Sequence, residues 1–388
     1  MTILTLTGLI PDIYAAIDVV SREQVGFIPA VSRDASAARA ALNENVRSPI
    51  VGPMAAENLT VTNVAASPPA QTILYVDLQI TKARSVPFGI NGEENKGLNN
   101  AGTLGTINRD RIAQALRTLT NEVETDLAAL HISASRAVGT AGTTPFGTAS
   151  DLSDFANSLQ VLDDNGAPTS DRHMVLGSAA TAKIRGKQAS LFRINESGTD
   201  ELLRKGIIGE VEGFSIHNSD KVARAVTVGT AASATTDNAG YAVGATSFTL
   251  ASAGTGTLIP GDVVTFAGDS NQYVVVSGDT DVSNGGTLVI AEPGLRVAMS
   301  AATKAITVVA AAARNMFFHR SAIQLATRAP AMPDGGDDAD DVMVIQDPVS
   351  GIAYEFCVYK QKRQVRWEVN LAWGVKMIAP RHTGLLLG

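Results

Sequence analysis

Apolar positions along this chain change period several times, and each change marks an element. Ile13, Ile17 and Val20 recur near helical spacing just after Pro11, which predicts a short helix from about Asp12 to Val20. Ser32–Asn45 is rich in alanine and polar residues, and Val46–Gly52 turns extended with Pro49 and Pro53 interrupting it. This stretch is expected to be an arm and not a core element. Between Asn58 and Phe88 the alternations Leu59/Val61, Ile73/Tyr75 and Val76/Leu78/Ile80 predict an extended hairpin turning at Ser67–Pro68–Pro69. A two-stranded ribbon is marginal by itself in water, so it needs a partner surface. Its own domain and a neighbouring chain both fit that need.

The strongest periodicity comes next: Ile112, Leu116, Leu119, Val123, Leu127 and Leu130 fall at intervals of 4, 3, 4, 4 and 3. They predict one amphipathic helix over Asn108–Arg136, about 29 residues and roughly 43 Å long, longer than a small domain is wide. A coiled coil would need a matching heptad helix elsewhere in the chain, and none is evident, so a lone spine is favoured.

Beyond it the elements shorten. A helix is expected after Ser150, carried by Leu152, Phe155, Leu159 and Leu162 and stopped at Asn165–Gly166. A strand over His173–Leu176, helices over Ala179–Arg185 and Asp200–Lys205, and a hairpin of Ile207–Val211 with Phe214–Ile216 complete a small α+β unit. From Ala225 to Ala313 only eight residues are charged, and the β-rich runs Ser247–Leu250, Asp262–Phe266, Gln272–Val276, Thr287–Ile290 and Ala305–Val309 alternate with Gly, Asp, Ser and Pro turns. That pattern implies a small barrel or sandwich inserted as a separate domain, entering and leaving at neighbouring points. Asn315–Ala326 resumes the mixed pattern, and the strands Val342–Ile345, Ala353–Lys360 and Val365–Val369 finish the chain.

Composition narrows the classes. The 388 residues allow two or three domains, and charged residues make up 18% against roughly 25% in ordinary globular chains. The formal charge of −7 argues against a nucleic-acid reader that works by neutralising phosphates. The single cysteine, Cys357, excludes an intrachain disulfide framework and a multi-cysteine zinc site. No run approaches the ~20 apolar residues of a membrane helix, and no basic, apolar leader opens the sequence, so a soluble, unexported protein is expected.

Chemistry is sparse. Metalloprotease, nucleophile-elbow, Walker and paired-cysteine motifs are absent, and His131, His173, His217, His319 and His382 are scattered. The acidic loop Asp334–Asp341 invites calcium but lacks the EF-hand spacing, so a solvated loop is the better reading. Glu93 and Glu94, between Arg84 and Arg109, are poor acid/base partners and suit an intersubunit ion pair better. No catalytic residue, cofactor or metal is expected. A β-rich adhesive protein and a soluble enzyme with an unrecognised site remain as alternatives.

Four stretches carry a resemblance: DVVSREQVGFIPAVSRD (Asp18–Asp34), NENVRSPI (Asn43–Ile50), ITKARSVPFGINGEENKGLN (Ile80–Asn99) and TNEVETDLAALHISASRAVGTAGTTPF (Thr120–Phe146). With the order of elements around them, the sequence resembles the major coat proteins of tailed bacteriophages, which share the Hong Kong ninety-seven (HK97-like) capsid fold. Within these it looks most like the coat family of Salmonella phage P twenty-two.

The resemblance implies an α+β chain with an N-terminal arm (1–45) and an E-loop (46–88). A peripheral domain (89–149 and 333–388) would hold the spine helix 108–136. An axial domain (150–224 and 314–332) and a small all-β insertion domain (225–313) would complete it. It further implies hexamers and pentamers of the chain closing an icosahedral shell around double-stranded DNA, held by enclosure and not by sequence-specific binding. A separate scaffolding protein, a portal and a decoration protein are the other partners implied, with no membrane, assembly in the bacterial host cytoplasm and residence in the virion capsid. Arg47, Tyr75, Arg84, Glu93, Glu94 and Arg109 are the candidate subunit contacts.

Overall fold

The spacing of Ile13, Ile17 and Val20 forms a helix, α1 (Leu6–Glu23), in the computed structural model, which describes residues 6–23, 26–50, 74–102, 104–187, 209–224, 226–347 and 350–388. It begins at Leu6, ahead of the expected Asp12, because Pro11 costs one i→i−4 bond without ending the helix. There follow α2 (Phe27–Ala30), β1 (Ser32–Ala40), β2 (Asn45–Ile50), β3 (Leu74–Gln79), β4 (Lys82–Asn91), α3 (Gly92–Asn100), α4 (Leu104–Ala129) and β5 (Arg136–Val138). The middle of the chain holds α5 (Ser153–Asp164), β6 (Arg172–Leu176), α6 (Ser178–Lys187), β7 (Glu210–Val211) and β8 (Phe214–Asn218). The charge-poor segment supplies β9 (Ser247–Leu250), β10 (Val263–Phe266), β11 (Gln272–Ser277), β12 (Gly286–Ile290) and β13 (Ile306–Val308). Last come β14 (Arg314–His319), β15 (Ile323–Pro330), β16 (Asp341–Gln346), β17 (Ala353–Gln361), β18 (Gln364–Met377) and β19 (Thr383–Leu387).

Two sheets organise these elements. In the first, the 14-residue β18 is the axis: β4 runs antiparallel along one edge, from Gln364 opposite Asn91 to Trp373 opposite Lys82. Its other edge pairs first with β17 and then with β15, and β16 extends the β17 side. β1 lies parallel to β15, Ser32 opposite Gln324. The expected arm 1–45 is therefore corrected in part. Ser32–Ala40 is a sheet strand, because its backbone finds a ladder on β15 that no local pattern in the sequence announces.

Helix α4 lies on this sheet with Ile112, Leu116, Leu119, Val123 and Leu127 buried, the face its periodicity predicted. At 1.5 Å per residue its 26 residues reach about 39 Å. A 3₁₀ turn, Leu130–Ser133, and then β5 replace the last helical turns expected up to Arg136. Leu9, Ile13, Ile17 and Val20 of α1 join the same core, with Trp373, Tyr354, Phe356 and Leu371 from the sheet.

The second sheet runs β13-β10-β11-β5-β19-β14-β6-β8-β7, with β12 on β11 and β9 on β12. The β7–β8 hairpin turns at Glu212 (φ 49°) and Gly213 (φ 79°), the two left-handed residues that a tight hairpin of right-handed twist requires. The charge-poor segment builds its own core around Phe248, Phe266, Tyr273 and Leu288. It enters and leaves at one place, where Arg314 N–H donates to the Ala223 carbonyl at 2.9 Å.

The sequence-based boundaries differ from the sheets in three respects. β11 of the segment bonds to β5, Tyr273 opposite Arg136, and Val263 and Val274 pack into the main core, so the segment is hydrogen-bonded to the body and not separate from it. β15 belongs to the first sheet, apart from β14. β5 and β19 belong to the second sheet, although β17 and β18 belong to the first. The expected helix Asp200–Lys205 and the Ser67–Pro69 turn lie outside the described residues.

Candidate assembly surface

A two-stranded ribbon forms here, but its first strand is β2, in the stretch read from the sequence as an arm, while Leu59 and Val61 of the expected first strand lie outside the described residues. β2 and β3 pair antiparallel from Asn45 opposite Gln79 to Ile50 opposite Leu74, and among the described residues neither pairs with any other strand. β4, expected within the E-loop 46–88, is instead a body strand on β18. At the ribbon, Arg47 Nε lies 2.8 Å from Asp77 Oδ1, directly across the ladder, and its guanidinium sits 5.3 Å from the centre of the Tyr75 ring. Tyr75 remains 54% exposed and Leu42, in the turn at the ribbon's base, 55%.

The base is held firmly. Asn43 N–H donates to the Ile80 carbonyl and Ile80 N–H to the Glu44 carbonyl, both at 2.9 Å. Leu78 and Ile80 are buried with Ala40, Ala326 and Ala372. Gly374 of β18 is the contact that lets the ribbon cross the sheet. A Cβ there would fall on the carbonyl oxygen of Gln79. Lys376 Nζ adds a bond of 2.8 Å to the Asp77 carbonyl.

The other sequence candidates disperse. Arg84, on β4, meets Glu122 of α4 at 3.2 Å, and Arg109 meets its neighbour Asp110 at 3.5 Å. Glu93 and Glu94 lie in the first turn of α3, where acids suit the helix dipole. Glu94 closes a capping box, its N–H bonding Asn91 Oδ1 at 2.8 Å and its carboxylate accepting the Asn91 N–H at 3.3 Å. Both residues were expected to suit an intersubunit ion pair, and the helix gives Glu94 this intrachain task. Only Arg47 and Tyr75 are brought together.

Sequence reasoning missed the buried anchors on α4. Glu124 is buried, and its carboxylate accepts Phe27 N–H at 2.9 Å, Ile28 N–H at 2.7 Å and Ser219 Oγ–H at 3.2 Å. Burial pushes its pKa up, and those three donors pull against that rise. Gly26 is required beside it, since a Cβ would strike Glu124 Oε2. Two residues further on, the partly buried Asp126 accepts the Trp373 indole N–H at 2.8 Å and pairs with Lys82 Nζ at 2.6 Å, tying α4 to β18 and β4. A charged residue inside the apolar stripe was the available signal for Glu124.

Four of the scattered histidines gather at one end of the second sheet. His173 Nδ1 lies 3.0 Å from His217 Nε2, and its Nε2 lies 3.0 Å from Asp171 Oδ1 and 3.1 Å from an Arg320 nitrogen. The rings of His319 and His382 meet edge to face at 6.4 Å. Burial holds His173, His319 and His382 below the usual imidazole range, with Arg320 adding to the effect on His173. Among the described residues no group of three or more metal-ligating side chains could hold an ion. The acidic loop spends Asp337 on the Tyr359 hydroxyl at 2.6 Å and Asp340 on Lys360 at 3.3 Å. No helix among the described residues is long and apolar enough to cross a membrane.

No family model matches the chain, and no curated protein does. Similar solved structures include one titled Mycobacterium phage Che8, 14% identical with a TM-score of 0.45 over 89% of this chain and 84% of that one. The capsid structure of the cyanophage P-SCSP1u is 10% identical with a TM-score of 0.48, over 92% and 86% of the two chains. A virus-like particle from Pyrococcus furiosus is also 10% identical, with a TM-score of 0.44 over 97% and 98%. The structure is an α+β chain of two large sheets, one long helix and a separate two-stranded ribbon.

Proposed function

We propose that this chain is a major capsid protein with the HK97-like fold, a structural subunit and not an enzyme, which assembles with copies of itself into the icosahedral shell of a tailed phage. The observation that carries the reading is the β2–β3 ribbon. Among the described residues its ladder pairs only with itself, its base is locked into the body at Gly374, Leu78 and Ile80, and Tyr75, Leu42 and Arg47 are left to solvent. An element so well anchored at its base, with Tyr75 and Leu42 exposed beside it, is stabilised by a neighbouring subunit. The sequence resemblance over Asp18–Asp34, Asn43–Ile50, Ile80–Asn99 and Thr120–Phe146 supports the same reading.

On this reading the ribbon serves as the E-loop, α4 as the spine, the first sheet as the peripheral domain, the body of the second as the axial domain and the charge-poor segment as the insertion domain. Its kinship is with the coat family of Salmonella phage P twenty-two. Its partners are a separate scaffolding protein, a portal and a decoration protein, its assembly takes place in the host cytoplasm, and DNA is enclosed without specific contacts. The net charge of −7 keeps a wall from gripping the packed polyanion.

The test is a Tyr75→Ala, Arg47→Ala double variant. Both residues are exposed, and the ion pair of Arg47 with Asp77 and its stacking on Tyr75 each contribute little to stability at such exposure, so the subunit's melting temperature should stay near that of the unmodified chain. Closed particles, rings or tubes seen by negative-stain microscopy with the unmodified chain should be lost. Normal shells from the variant, or a lone monomer from the unmodified chain under every condition, would overturn the reading.

A further inference from the structure

Arg314 opens β14 with only 1% of its surface exposed, and its Nε and both terminal nitrogens have no hydrogen-bond partner. A guanidinium is one of the costliest groups to bury unpaired, since removal from water penalises its charge and leaves five donors without acceptors. Three segments converge on it. Arg314 lies opposite Leu387 of β19, and β19 runs beside β5, which the Leu130–Ser133 turn at the end of α4 leads into. The Gly261–Asp262 turn packs against that 3₁₀ turn so closely that a Cβ on Gly261 would press on Ile132.

Two of these segments bring a polar group. His131, in the 3₁₀ turn, places Nδ1 3.0 Å from the Ala128 carbonyl, and its buried Nε2 has no partner. Asp262 is fully buried, but both its oxygens are spent on backbone: Gly229 N–H donates to one and Ile259 N–H to the other, each at 2.8 Å. Asp262 balances the charge of Arg314 across space without bonding to it, and Arg314 together with burial holds His131 below the usual imidazole range. With Nδ1–H donating to Ala128, neutral His131 offers only a lone pair at Nε2; a protonated ring offers a second N–H.

We propose that Arg314 and His131 form an internal binding site for a small inorganic anion of the size of chloride, where the end of α4, the start of β14 and the Gly261–Asp262 turn meet. The guanidinium supplies the donors, and the anion enters together with one proton, which goes to His131 Nε2. With Asp262 already opposite Arg314, the four charges then sum to zero. The bound ion fastens the charge-poor segment to the body at the point where that segment rejoins it. The site is independent of whether the chain builds shells.

The test is a melting series on the full chain at constant ionic strength, with chloride replacing the far bulkier gluconate. The unmodified chain should gain a few degrees, saturating with chloride and larger at pH 6 than at pH 8. Arg314→Met should show no such gain, and Arg314→Lys, which keeps one charge and fewer donors, should respond only at higher chloride. Chlorine NMR should show line broadening with the unmodified chain that bromide reverses and that Arg314→Lys weakens, which keeps the test decisive if Arg314→Met does not fold. A melting temperature indifferent to chloride without broadening, or the same response in both Arg314 variants as in the unmodified chain, would overturn the proposal.

Discussion

Glu124 accepts the backbone N–H of Ile28 at 2.7 Å across 96 residues of sequence, so a carboxylate on the long helix caps the short α2 turn near the N-terminus. Phe27 N–H and Ser219 Oγ–H share the same carboxylate, which joins three distant parts of the chain at one buried point.

Glu124→Ala is expected to cost roughly 2–4 kcal/mol, since it strands two buried amides, and Glu124→Gln less, since one acceptor remains. The pH dependence has a definite sign. The folded carboxyl titrates above its unfolded value, so the folded chain holds more protons in that window, and stability falls as pH rises from the ordinary glutamate range through the raised pKa. Thermal melts of the unmodified chain and Glu124→Gln between pH 4 and 8 check this. The difference between them should carry the slope, and parallel curves would refute it.

Gly374→Ala should be among the more damaging single changes at the ribbon, on the order of 2 kcal/mol or more, because the new methyl falls on the Gln79 carbonyl oxygen. Chemical denaturation of the subunit measures it. Gly97→Ala, in α3 with open space around its Cβ, is the control and should be neutral or slightly stabilising. Equal effects of the two would show that the ribbon's crossing is not tight.

Trp373→Phe keeps the apolar body of the side chain and removes the N–H that Asp126 accepts, leaving that carboxylate to Lys82. A loss of about 1–2 kcal/mol is expected, and Asp126→Asn in the same background should add less than it costs alone. A double-mutant cycle by denaturant unfolding reads the coupling directly, and strict additivity would dismiss the link.

The histidine group predicts acid sensitivity. His173, His319 and His382 titrate below the unfolded value near 6.5, so the unfolded chain binds more protons and stability is lost as pH falls from about 6.5 toward their folded values. This opposes the trend from Glu124, so the measurement is again a difference: His173→Gln should melt with a shallower slope between pH 7.5 and 5 than the unmodified chain. A slope unchanged by the substitution would remove His173 from the account.

What the sequence by itself determined is what depends on near neighbours. The 3.6-residue spacing from Ile112 to Leu127 specified α4 and its buried face, alternation and turn residues located β9 to β13 within a residue or two, and Glu212–Gly213 marked its hairpin. The resemblance carried the fold class. Tertiary structure alone decided what depends on a distant partner. Ser32–Ala40 reads as a polar arm until β15 supplies its ladder, Arg47 and Tyr75 meet only once β2 and β3 are in register, and four scattered histidines become a group only when three strands and a 3₁₀ turn align them. The physical reason is that periodicity records which face of an element is buried, whereas pairing, register and buried charge are satisfied by groups whose positions no local spacing encodes.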